Sequence, residues 1–119
     1  MSSQLKILKG ENIVFNNSGD SIEELLLIAS PLFEKIDGYV IELTYINIEV
    51  AKFIKSFEVS NIIKCENISN EALKLLQKNK VYVIFDNKVD DESIKVENKD
   101  FKRALNLPIS EVSIIFGKI

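Results

Sequence analysis

The sequence predicts an α/β domain built on a mixed sheet with parallel β-α-β units and helices packed on it. Three observations predict it. First, the stretch from Val59 to Phe85 holds two short apolar runs, Asn61–Cys65 and Val81–Phe85, around one amphipathic helical pattern. That is the pattern of a strand, a crossover helix and a parallel strand. Second, strand-like and helix-like segments alternate along most of the chain, which favours parallel pairs covered by helices. Third, 119 residues with 46% apolar and 28% charged side chains suit one domain with a core of its own.

The elements follow in order. Leu5–Leu8 and Asn12–Phe15 are short and rich in β-branched or aromatic residues, and Lys9-Gly10-Glu11 joins them as a hairpin. Asn16 to Asp20 reads as a loop. Ser21 and Glu24 are spaced as a capping box for a helix whose stripe is Ile22, Leu25, Leu26, Ala29 and Leu32. Pro31 kinks that helix or ends it near Ser30, because its ring clashes with the preceding turn. After Gly38, Tyr39–Tyr45 is a strand with Tyr39, Ile41, Leu43 and Tyr45 on one face.

Asn47 is placed to cap a second helix, whose Val50, Phe53, Ile54 and Phe57 fall on one side. The strand–helix–strand unit comes next. Ser69 caps its helix, about Asn70–Lys78, and Ile68 and Leu73 are set for a hydrophobic staple. Asn87–Asp100 is a polar excursion. Phe101–Leu105 reads as a short helix ended by Pro108, and Val112–Phe116 as a last strand.

Composition removes several chemistries. The chain has no histidine, which takes away the commonest general base and metal ligand. Serine–histidine and cysteine–histidine hydrolysis and ordinary zinc catalysis are disfavoured accordingly. The expectation is a binding protein rather than an enzyme. A net charge of −3, with Arg103 the single arginine, predicts no nucleic-acid footprint. The longest apolar run, Leu25–Ala29, is too short for a membrane span. The start MSSQLKILKG lacks the features of a signal peptide. One cysteine, Cys65, allows no internal disulfide, so a reducing cytoplasm is expected.

Four acids, Asp86, Asp90, Asp91 and Glu92, cluster after a predicted strand, where parallel sheets place ligand sites. They lack the glycine of a calcium loop. They read as a solvated loop or, in a functional sense, as an acidic patch that docks a protein partner. The segment from Asn16 to Ser21 precedes a helix but has no Walker pattern, so it reads as ordinary capping. Cys65 ends a strand, and its neighbour Lys64 points to the opposite face, so it reads first as a buried structural thiol. Phe53, Phe57, Tyr82 and Phe85 have core spacing.

Two segments resemble the nitrogenase iron–molybdenum-cofactor biosynthesis family, the NifX and NifB C-terminal-like domains. They are Ser30-Pro31-Leu32-Phe33-Glu34-Lys35 followed by Tyr39-Val40-Ile41, and Ile62–Ile68 with Ala72-Leu73, Leu76 and Val81-Tyr82. Together they span about residues 30–85. Leu32 stands where that family carries histidine and Glu34 where it carries glycine. The resemblance implies a ribonuclease-H-like fold and descent from carriers of an iron–sulfur type cluster. It carries over Ser30, Phe33 and Cys65 as cofactor-binding positions. A small acidic interaction module, such as a toxin-neutralising immunity protein or a regulatory partner, is the competing expectation. A small domain with an open edge strand is also a candidate homodimer.

Overall fold

A computed structural model describes residues 2–35, 37–56 and 61–119. Phe57, expected on the stripe of the second helix, and Val59, at the head of the strand–helix–strand stretch, lie outside the described residues.

The chain opens on the expected hairpin, β1 (Ser3–Lys9) and β2 (Asn12–Gly19). Gly10 turns it at φ 61, the left-handed backbone that a two-residue hairpin loop needs. Ile7 pairs with Phe15 but Leu8 with Ile13, so Val14 is an extra residue and β2 is bulged there. The loop expected from Asn16 to Asp20 is in fact mostly strand. Asn16, Asn17, Ser18 and Gly19 pair with Lys6, Leu5, Gln4 and Ser3. A strand at the sheet edge needs only backbone pairing, so its polar side chains cost it little.

Helix α1 (Ile22–Ile28) starts where the Ser21 hydroxyl accepts the Glu24 amide at 3.2 Å. Pro31 ends it as expected, and a 3₁₀ segment, Ser30–Lys35, carries the chain onward. Strand β3 (Tyr39–Ile46) leads into α2 (Ile48–Ile54), capped by Asn47. Strand β4 (Ile62–Ser69) leads into α3 (Asn70–Lys78), capped by Ser69, and β5 (Val83–Val89) closes the sheet. Both β4 and β5 run further than their apolar runs, so Asp86, Asn87 and Lys88 are strand residues. A second 3₁₀ segment, Asp91–Ile94, precedes α4 (Lys99–Ala104) and α5 (Ile109–Phe116).

Helix α5 corrects the expected last strand. Its β-branched run is too short for periodicity to separate strand from helix. Tertiary packing decides: Val112 is buried, and the helix lies on the Ser30–Lys35 segment. Behind it, Lys118 donates its amide to the Ile28 carbonyl at 3.0 Å.

The strand order is β2-β1-β3-β4-β5, with β1 antiparallel to both neighbours and β3, β4 and β5 parallel. This is the mixed α/β sheet the sequence predicts.

The connections β2–α1–β3, β3–α2–β4 and β4–α3–β5 all step the same way across the sheet. Right-handed crossovers therefore put α1, α2 and α3 on one face. The burial of the strands agrees: Leu5, Ile7, Ile41, Leu43 and Ile63 are buried, whereas Gln4, Lys64 and Glu66, which alternate with them, are exposed. Helix α4 packs over this layer, with Phe101 lying 5.4 Å from Phe53 and Phe53 5.5 Å from Phe33, ring centre to ring centre. One hydrophobic core results, and the other face of the sheet has no helix against it among the described residues.

Candidate functional site

Three strands, β2, β3 and β4, deliver a capping side chain to a helix start at their carboxyl ends. Besides the Ser21 bond, the Asn47 carbonyl oxygen accepts the Val50 amide at 3.0 Å, and the Ser69 hydroxyl accepts the Ala72 amide at 3.2 Å. Each removes one unpaired amide from a first helical turn.

Beneath these caps lies a buried polar network. Glu23, on the first turn of α1, is 1% exposed. Its carboxylate accepts from the Tyr45 hydroxyl at 2.6 Å and from the Asn47 amide nitrogen at 2.7 Å. The same Asn47 nitrogen donates to the Ile94 carbonyl at 2.9 Å, and the Tyr45 oxygen accepts the Ile22 amide at 3.1 Å. A buried carboxylate is tolerable only when so satisfied. Burial first, and then the bond to Glu23, hold the Tyr45 phenol well above the usual tyrosine range. Sequence reading missed Glu23 because a capping box draws attention to Glu24. The signal was present: Glu23 shares a helix face with Leu26, Leu27 and Ser30, and the uninterrupted apolar run Leu25–Ala29 marks a helix buried nearly all round.

Above the network is a cleft of about 360 Å³ at the carboxyl ends of β3 and β4, walled on its far side by the chain between Asp91 and Lys102. Its carboxylates are Glu49, Glu71, Asp91, Glu92 and Glu97, and its cations are Lys95 and Lys102. Both lysines already have partners: Lys102 sits 2.8 Å from Glu97, and Lys95 sits 4.0 Å from Glu92. The Lys102 bond and charge hold the Glu97 carboxyl below its ordinary value. Asp91 has a structural duty as well, accepting the Glu71 amide at 2.8 Å across the start of α3. The cleft thus carries three more acids than cations, and a cationic group is what its field favours.

The sequence-predicted residues are not brought to one place. Of the four acids, Asp91 and Glu92 line the cleft, and Asp86 lies on the open face of the sheet beside Lys64 and Glu66. Asp90 opens the second 3₁₀ segment, where its carbonyl accepts from Ser93, and its carboxylate makes no cap. Ser30 is fully buried and donates to the Leu27 carbonyl at 2.7 Å; Phe33 is buried edge-on to Phe53. Both belong to the helical layer, whereas Cys65 lies in β4 between Leu43 and Phe85.

Cys65 is buried, and burial together with the charges of Asp86 and Glu66 pushes its thiol up to about 12. Burial thus disfavours its thiolate form. Among the described residues no group of three cysteines, aspartates or glutamates is placed to hold a metal ion. Ser30, Phe33 and Cys65 therefore do not converge on one site within a single copy of the chain. Nor is any helix among the described residues long and apolar enough to cross a membrane.

The chain is similar in fold to a crystal structure of a DUF1893 family protein from Thermotoga maritima. The two superpose with a TM-score of 0.60 at 21% identity, over 95% of this chain and 78% of that one. No protein-family model matches the chain, and no curated protein matches it. The neighbour establishes the α/β fold with its mixed sheet and goes no further.

Proposed function

We propose that this chain is a small non-catalytic binding protein, resident in the cytoplasm, whose acidic cleft receives a basic segment of a partner protein. One observation carries the reading. Five carboxylates face a cleft of about 360 Å³ whose two lysines are already paired. That volume suits one or two side chains rather than a whole domain, and its charge suits lysine or arginine. Such a field raises the rate of encounter with a basic partner and penalises an acidic one. An immunity-type or regulatory partner would use it in this way.

The test is a titration with a short lysine- and arginine-rich peptide, followed by fluorescence anisotropy. Binding should weaken steeply with salt. Replacing Glu92 and Glu97 together by glutamine should lower affinity by about tenfold, the scale of one or two lost charge contacts. Peptide binding that ignores both salt and the double substitution would remove the cleft from the function.

A further inference from the structure

The face of the sheet away from the helices poses a separate problem. Strands β3, β4 and β5 are parallel, and sheets made wholly of parallel strands are nearly always covered on both faces. Here Ile62 and Ile84 are 50% and 44% exposed on that uncovered face. We infer that a second copy of this chain covers it, in a two-fold dimer packed sheet against sheet.

The registry of β3 and β4 makes the face complementary to itself. Val40 is level with Ile62, and Glu42 is level with Lys64. Thr44 and Glu66 follow two residues further along each strand. A two-fold axis running along the strands midway between β3 and β4 lays each strand of one copy over the other strand of its mate. Val40 then meets Ile62, Glu42 meets Lys64 and Thr44 meets Glu66, each contact occurring twice, as isologous symmetry demands. None of these contacts opposes like charges. An axis centred on β3 itself would set Glu42 against Glu42, so charge disfavours that register.

Size is compatible. Five strands about 4.8 Å apart and some seven residues long give a face of about 500 Å² in projection. Side-chain relief brings its accessible area toward the roughly 800 Å² per partner of a stable interface. Sheets stacked face to face in this way sit about 10 Å apart.

The inference does not depend on the acidic cleft, and its experiment does not read peptide binding. Sedimentation equilibrium on the wild-type chain should show a monomer–dimer equilibrium. Glu42→Lys alone and Lys64→Glu alone each place like charges opposite one another at two symmetric points. Each should weaken dimerisation by at least about tenfold while circular dichroism stays native. The double swap E42K/K64E restores the pairing with its signs reversed and should restore the dimer. A wild-type monomer throughout, which would leave the face to water or to another chain, overturns the inference. So does a dimer indifferent to the single substitutions, or a double swap that fails to rescue.

Discussion

The carboxyl edge of the sheet and its open face treat polar groups in opposite ways. At the edge the chain answers its own needs: Ser21, Asn47 and Ser69 cap three helices, Asp91 takes a further amide, and Glu23 is held by two donors. On the open face, Lys64, Glu66 and Asp86 stand exposed on neighbouring strands and form no ion pair with one another among the described residues. The contrast separates two uses of polarity. Groups satisfied inside one molecule fix a fold, whereas groups left in water remain available to another molecule.

The carboxyl edge is most sensitive at Glu23. Glu23→Ala strands the Tyr45 hydroxyl and one Asn47 donor in a buried site, and unfolding in urea should show a loss of about 3 kcal/mol. Asp91→Ala, which frees an amide that water can reach in part, should cost about 1 kcal/mol and fray the start of α3, seen as faster hydrogen exchange at Glu71. The open-face strands should respond far less. Ser18→Ala, on the exposed end of β2, should change stability by less than about 0.5 kcal/mol in the same titration.

A pH series sharpens the contrast between buried and exposed groups. In the unfolded chain a thiol ionises near 9, whereas the folded Cys65 keeps its proton to about 12. Between those values the unfolded state binds fewer protons, so stability is complete below about pH 9 and falls as pH rises. Tyr45, whose phenol is also raised, adds to the fall at its upper end. Cys65→Ala should flatten the first part of the curve and leave the tyrosine part. An unchanged profile in that variant would show that Cys65 does not titrate as its burial dictates.

Much of this architecture was legible in the residues. Ser21, Asn47 and Ser69 each announce a helix start, and Tyr39–Tyr45 alternates cleanly because one of its faces is buried. The failures share a physical cause, since they occur where tertiary context outweighs local pattern. Asn16 to Gly19 look like loop but pair as an edge strand, and Val112–Phe116 look like strand but pack as a helix on the segment holding Pro31. The site was less legible still. Asp91 and Glu92 were visible as acids, but Glu49, Glu71 and Glu97 join them only through the folding of distant segments. Cys65 is a rare residue type, but its burial disfavours the thiolate.

The bulge at Val14 has a consequence for how the protein behaves when crowded. It breaks the regular ladder of β2, and the polar Asn16-Asn17-Ser18 end continues that edge. At the opposite margin β5 presents Asp86, Asn87 and Lys88. Irregular or charged margins resist the addition of further strands. Lateral growth into fibrils is thus discouraged at both sides, so concentrated solutions should remain clear and free of amyloid-type dye binding, even though the sheet keeps two unpaired edges.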